Sequence, residues 1–301
     1  MSDAFRCGYI AIIGRPNVGK STLMNHLLGQ KISITSRKPQ TTRHRILGIK
    51  TTEAAQFIYV DTPGLHHTEK QNMNRYMNRA ASSSLDFVNV ILFVVEASKW
   101  TEEDDWVLEK IKDVKRPVIL VLNKIDNIND KEALLPRIKT VSEKHAFSDV
   151  VPLSALKFEN LDGLESTVMT YLEKSEAVYP DDQITDRSMK FLAAEIVREK
   201  LMRKLGQELP YALTVYIEKY EDSKDIIKIY AQIIVDRDSQ KPIIIGRKGQ
   251  QLKQIGQAAR EDMEELFDKK VYLELWVKVK AGWADDEKSL HALGYAQDGE
   301  L

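Results

Sequence analysis

Eight consecutive residues near the amino terminus, Gly14-Arg15-Pro16-Asn17-Val18-Gly19-Lys20-Ser21, have the spacing G-x-x-x-x-G-K-S. A turn of this kind is built to hold polyphosphate. Backbone N–H groups of the turn and of a following helix converge on phosphate oxygens, the lysine ammonium reaches the terminal phosphates, and the serine hydroxyl ligates a magnesium ion. The match carries weight only where a strand precedes it and a helix follows. Both are predicted: residues 9–13 are an apolar run, and residues 22–28, opening on Thr22, have helical spacing.

Three further loops fall at the ends of apolar runs. Asp61-Thr62-Pro63-Gly64 follows a predicted strand over 57–60, where a carboxylate can hold the magnesium shell and the Gly64 N–H can approach a γ-phosphate. Alone, D-x-x-G would be read as a turn; behind a phosphate loop it reads as the second half of that site. Residues 37–43 are polar and aperiodic and predict a mobile loop supplying a second magnesium-ligating hydroxyl, from Thr42 in preference to Thr41. Lys20, Thr42 and Gly64 are therefore the residues expected at the reacting phosphate, with Ser21, Thr42 and Asp61 as the magnesium ligands. Asn123-Lys124-Ile125-Asp126 closes the run 118–122. An aspartate there accepts from guanine N1–H and the 2-amino group; adenine offers neither donor and would leave the carboxylate unpaired. Asn123 would bridge loops or bond the purine edge, and the Lys124 stem would lie along the base. Ser154-Ala155, after the run 150–153, is a weak signal by itself, but in this order its small residues allow the Ala155 N–H to reach guanine O6. The expected ligands are GTP and Mg²⁺.

The elements that must position these loops are legible as a series. Apolar runs at 46–49, 57–60, 90–95, 118–122 and 150–153 alternate with helical spacing at 72–85, 104–114, 131–145 and 161–172. That alternation predicts an α/β fold: a mostly parallel sheet with helices on both faces and the nucleotide at the carboxyl ends of the strands. At 301 residues there is room for about two domains, and 43% hydrophobic with 30% charged residues suits a globular protein. The longest apolar run, 88–95, is too short to cross a bilayer, and residues 1–6 do not resemble a signal peptide. The single cysteine, Cys7, excludes an internal disulfide and points to a reducing cytoplasm. With a net charge of −1, bulk electrostatics do not advertise nucleic acid; any such binding must rest on local clusters.

Taken together, residues 14–21, 42, 61–64, 123–126 and 154–155 resemble the five guanine-nucleotide motifs of the translation-factor-like GTPases over about the first 172 residues. Asn17 and Thr41-Thr42-Arg43 resemble the branch that holds the TrmE, Era, EngA and septin-like GTPases. In some members of that branch the matching asparagine helps hold potassium against the phosphates, which the resemblance implies for Asn17. One departure concerns mechanism: where many small GTPases carry a water-orienting glutamine, this chain has Leu65. Leucine neither donates nor accepts a hydrogen bond, so slow intrinsic hydrolysis, stimulated by a partner or potassium, is expected. His66 and His67 read as solvated residues of the same loop.

Residues 176–185 lose periodicity around Pro180 and are read as a linker between a nucleotide domain, 1–175, and a second domain, 186–301. Asp186 is the expected N-cap of a long helix to about 205, with Phe191, Ala194, Ile196, Val197 and Leu201 inward. Strands over 212–218 and 226–235, the loop Ile245-Gly246-Arg247-Lys248-Gly249, a helix through Leu252, Ile255, Ala258 and Ala259, and a strand over 271–279 follow. This α-β-β-α-α-β order around I-G-x-x-G resembles the type II KH domain, an α+β fold. In it the G-x-x-G loop lets a nucleic-acid backbone approach and clamps about four nucleotides. Arg247, Lys248 and Lys253 would attract phosphate. The basic residues of the helix over 187–204 read either as phosphate contacts or as a solvated face, and Trp283 either as core or as a stacking platform.

Over its whole length the chain resembles the bacterial members of this GTPase branch that carry a carboxyl-terminal type II KH domain. Residues 29–37 and 273–280 extend the match beyond the generic motifs. The resemblance implies a monomeric switch that binds small-subunit rRNA near its 3′ end and serves 30S ribosomal subunit assembly, cytoplasmic with some peripheral association at the inner membrane. The alternatives are a membrane-associated signalling GTPase whose KH-like domain binds protein, and an RNA-binding module with a vestigial phosphate loop. An ATP-dependent kinase is disfavoured by Asp126.

Overall fold

The structure is a computed structural model that describes residues 5–64, 72–83, 85, 87–128, 132, 134–206 and 208–295. The chain forms two compact units. The first runs to residue 186 without segments 34–41 and 70–73; the second holds those two segments and everything from 187.

The first unit contains β1 (Arg6–Ile13), α1 (Lys20–Leu28), β2 (Ile46–Thr51), β3 (Ala55–Asp61), α2 (Asn72–Ser83), β4 (Val90–Glu96), α3 (Glu102–Ile111), β5 (Val118–Asn123), α4 (Leu134–Ser142), β6 (Asp149–Pro152), α5 (Leu161–Tyr171) and the short β7 (Glu173–Lys174). The strands lie in the order β2-β3-β1-β4-β5-β6, with β7 antiparallel to the start of β1. Among the described residues only β2 and β7 run antiparallel. Residues 90–95 of β4 and 118–123 of β5 are buried at every position, as strands covered on both faces must be. The register sets Ile12 beside Asp61, Ile13 beside Phe93 and Glu96 beside Asn123. The loops after β1, β3, β4 and β5 therefore open at one edge of the sheet. Cys7 is buried and unpaired.

The stretch 176–186 is fastened to this unit. Gln56 Oε1 accepts from Val178 N (2.8 Å) and Tyr179 N (2.9 Å), and Ile49 N donates to Ile184 O (2.9 Å). Asp186 does not cap the next helix: its Oδ1 accepts from Leu47 N (3.1 Å), a donor on the edge strand β2 that would otherwise lack a partner. Ser188 takes the cap, accepting from Phe191 N at 3.2 Å.

The second unit comprises α6 (Met189–Lys204), β8 (Leu213–Asp222), β9 (Ile226–Val235), α7 (Lys241–Ile245), α8 (Gln250–Phe267), β10 (Lys270–Val279) and α9 (Glu287–Ala292). Its sheet, β10-β9-β8, pairs β9 parallel with β10 and antiparallel with β8. Alternate residues Val215, Ile217, Ile229, Ala231, Ile233 and Val277 face a core shared with Ile196, Val197, Ile255 and Ala259. The inward face of α6 is rotated from the expected one: Leu192 and Ala193 are buried, while Phe191 and Ala194 are half-buried. The basic residues of α6 are spent largely on ion pairs. Buried Arg198 bonds Glu195 (Nε–Oε1 2.7 Å), Arg203 bonds Glu199 (2.9 Å), and Lys200 pairs with Asp262. Trp283 is 1% exposed and donates to Ala212 O at 3.2 Å, so it is a core residue.

Candidate functional site

The turn 14–21 joins β1 to α1, with Gly19 as the N-cap in the left-handed region (φ 102°). A Cβ on Gly19 would lie 2.4 Å from Asn123 Nδ2, so the loop can close onto the Asn123 loop only with glycine there. Among the described residues no side chain caps α1, and N–H groups at such a helix start suit an anion. Val18 is fully buried, Pro16 lies against Gly64, and Thr22 sits in the first turn of α1. Lys20 is buried, its ammonium donating to Gly14 O (2.9 Å) and Arg15 O (3.0 Å). Burial, opposed in part by Asp61, lowers its pKa to about 8.

Ser21, Thr42 and Asp61, from three separate stretches, meet. Ser21 Oγ lies 2.8 Å from Thr42 Oγ1 and 2.8 Å from Asp61 Oδ2, and Thr42 Oγ1 is 3.5 Å from the same oxygen. A residue outside the motifs, Ser33, adds a third hydroxyl at 2.8 Å; it is buried and held by Asn25 Oδ1. Ser33 lies in the stretch 29–37 that carries the family resemblance, but it belongs to none of the nucleotide motifs. Among the described residues Asp61 Oδ1 is buried without a hydrogen-bond partner, and burial raises the Asp61 pKa against the pull of Lys20 and the hydroxyls. A carboxylate oxygen left in this state on a carboxylate ringed by three hydroxyls fits a hard divalent cation with oxygen ligands. Thr41 Oγ1 donates to Lys38 O (2.7 Å). Thr62 anchors the following loop by donating to Ile12 O (3.0 Å), with Pro63 and Gly64 next in line; Leu65, His66 and His67 lie outside the described residues.

Asn123 ties three loops together. Its Nδ2 donates to Val18 O (2.8 Å), and its Oδ1 accepts from Lys124 N (2.7 Å) and Ala155 N (2.9 Å). Lys124 Nζ reaches Asn17 O at 2.7 Å. Ile125 N is held by Leu153 O (3.3 Å), and Ser154 Oγ donates to Asp126 Oδ1 (2.5 Å), fixing the half-buried carboxylate. The loops carrying the phosphate, magnesium and base motifs are thus brought to one edge of one sheet.

The second unit carries its own candidate site. Ile245 ends α7, and Gly246 (φ 72°), Lys248 (φ 50°) and Gly249 (φ 76°) turn the chain into α8. A Cβ on Gly246 would come within 2.6 Å of Gln251 Cβ. Arg247 and Lys248 are exposed at this turn. Beside it runs an open groove of about 590 Å³, lined by Gly249, Leu252, Lys253, Gly256, Gln257 and Arg260 on one side and Val271, Tyr272, Leu273 and Leu275 of β10 on the other. Apolar walls with a cationic rim suit bases with phosphates alongside. Gln257, Arg260 and Tyr272 were not singled out in the sequence; their i, i+4 and i+7 positions after Lys253 were the available signal for the helix side.

Fold and sites together define a P-loop GTPase unit joined to a KH unit. Residues 9–124 match the family described as 50S ribosome-binding GTPase, and residues 208–284 match the KH domain. The GTPase Era of Ectopseudomonas mendocina is 58% identical over 98% of this chain and 99% of its own, and that of Glaesserella parasuis 57% identical over 97% and 98%. A crystal structure of Era with MgGDPNP and nucleotides 1506–1542 of 16S ribosomal RNA superposes with a TM-score of 0.94 at 44% identity, covering 97% of this chain and 99% of that one. A variant of Aquifex aeolicus Era bound to GDP·AlF4− gives 0.94 at 44% identity over 97% and 100%. The chain belongs to the Era family of GTPases.

Proposed function

We propose that this GTPase is a nucleotide-controlled RNA clamp that binds small-subunit rRNA near its 3′ end during 30S subunit assembly. The supporting relative is the Era bound to MgGDPNP and a 16S rRNA fragment. The observation that carries the control is the division of one loop between the two units. Thr42, beside Ser21 and Asp61, belongs to the first unit, whereas residues 34–41 belong to the second. There Thr35 N donates to buried Glu199 (2.8 Å) and Arg203 donates to Thr35 O (3.1 Å). A ligand that orders Thr42 therefore acts on a segment whose neighbour is bonded to α6.

Ser21, Thr42 and Asp61 would hold Mg²⁺, which, when bound, would neutralise charge on the phosphate oxygens. The remaining work falls to the chain. Amides of 14–21 orient the phosphates, Lys20 faces the terminal phosphates, the Gly64 N–H meets the γ-phosphate, and Asp126 selects guanine. With Leu65 unable to orient water, turnover is slow until a partner or cation assists. Asn17 is the candidate potassium ligand, and replacing potassium by sodium is expected to lower kcat at saturating GTP; an unchanged rate would remove that ligand. Arg247, Lys248 and Lys253 engage the RNA backbone, with Ile245 beside the G-x-x-G turn. The protein acts as a monomer in the cytoplasm, with a fraction peripheral at the inner membrane; among the described residues no helix is long and apolar enough to cross it. Crosslinking in cells tests this function: recovery of the 3′ end of small-subunit rRNA, dependent on the nucleotide bound, is expected. Recovery of protein partners without that RNA would favour a signalling GTPase.

A further inference from the structure

Strand β4 lies between β1 and β5, so its carboxyl end falls between the loop that follows β1 and the loop that follows β5. The strand is apolar and buried through Val95 and then ends on Glu96, which belongs to none of the nucleotide motifs. The Glu96 carboxylate bonds Arg15 of the phosphate loop (3.3 Å) and Lys124 of the base loop (3.5 Å), and Ser98 Oγ donates to it at 3.1 Å. Arg15 is fixed from its other side by Asp104 (3.1 Å), a fully buried carboxylate that also accepts from Thr101 N and Oγ1 at the start of α3.

We propose that Glu96 is a positioning residue for guanine nucleotide. By holding Arg15 and Lys124 against one carboxylate, it joins the phosphate half and the base half of the site into one preorganised body. Its side chain acts through these two cations and touches neither base nor phosphate. A solvated surface pair would contribute little, but the Arg15 and Glu96 side chains are only 9% and 15% exposed. Lys99, 57% exposed and 3.9 Å from Glu96, is the rim charge of the group. Fixing both halves in advance removes an ordering cost that nucleotide would otherwise meet on binding.

The inference rests on residues 14–21 and 123–126 forming the nucleotide site. The test is a titration of the full-length protein with a fluorescent GDP and a non-hydrolysable GTP analogue. Glu96→Gln is expected to weaken both about tenfold, mainly through faster dissociation, and to raise KM for GTP by more than it lowers kcat. In a double-mutant cycle, Arg15→Ala and Lys124→Ala should be non-additive by about fivefold in the parent and additive within about twofold when Glu96 is Gln. Should Glu96→Gln fail to fold, Glu96→Asp, which keeps the charge but shortens the reach, is expected to show a smaller loss of the same kind. A folded Gln or Asp variant that binds as tightly as the parent, or non-additivity that survives in the Gln background, overturns the role of Glu96. A parent protein that fails to bind GDP overturns the nucleotide site and this role together.

Discussion

A carboxylate reads a purine by what the purine can donate. Ser154 Oγ holds Asp126 Oδ1 at 2.5 Å, so on the proposed role of Asp126 the side chain is fixed before a base binds. Asp126→Asn replaces an acceptor by an amide that can donate, so affinity for GDP should fall by on the order of 10⁴, while xanthosine diphosphate, with a carbonyl at C2, should gain affinity. Competition of the two nucleotides against a fluorescent GDP measures the switch; an unchanged preference for GDP would contradict it. Glu96 allows a second prediction. Partial burial would raise its pKa, but Lys124, Ser98, Lys99 and Arg15 prevail and hold it below the ordinary 4.5. A carboxyl with a lowered folded-state pKa stabilises the fold fully above its unfolded value and loses that contribution as pH falls through the folded value. The Tm gap between the parent and Glu96→Gln should therefore be constant from neutral pH down to about 5 and close as the pH drops below about 4. A gap that widened in acid would exclude the ionised carboxylate as the cause.

Two helices begin in the same way. Both α1 and α8 follow a glycine-rich turn, have glycine at the N-cap in the left-handed region and, among the described residues, no capping side chain, a start whose N–H groups and positive dipole end suit an anion. For α8 the exposed Arg247 and Lys248 add charge. Arg247→Glu with Lys248→Glu should weaken RNA binding across sequences and reduce the magnitude of the salt slope by about two, while GDP affinity stays at the parent value; fluorescence anisotropy at several salt concentrations checks both. Unaltered RNA affinity would move the clamp elsewhere. These two turns were readable in the sequence because their chemistry is local: glycine spacing, a basic residue and a flanking strand or helix state the demand within ten residues. Where the demand came from elsewhere in the fold, reading failed. Asp186 looked like a helix cap but serves the Leu47 N–H of an edge strand, and Ser188 caps instead. The α6 inward face includes Leu192 and Ala193, and its basic residues pair with Glu195, Glu199 and Asp262. The Ser33–Asp61 and Glu96–Arg15 contacts come only from strand order and loop closure, which no nucleotide motif announces.

At the scale of the whole molecule, the claim is thermodynamic. If the loop from 34 to 42 answers both to the Ser21–Asp61 cluster and to α6, nucleotide state and RNA affinity are linked, and the linkage must be reciprocal. The most direct measurement is a pair of titrations: an oligonucleotide from the 3′ end of small-subunit rRNA into the protein held with a GTP analogue, GDP or no nucleotide, and each nucleotide into the protein with and without that RNA. RNA affinity should differ between the GTP-analogue and GDP states by at least about fivefold, and RNA should change the relative affinity of the two nucleotides by that same factor. Equal RNA affinity in all three states would contradict the account, leaving two sites on one chain with nothing passing between them.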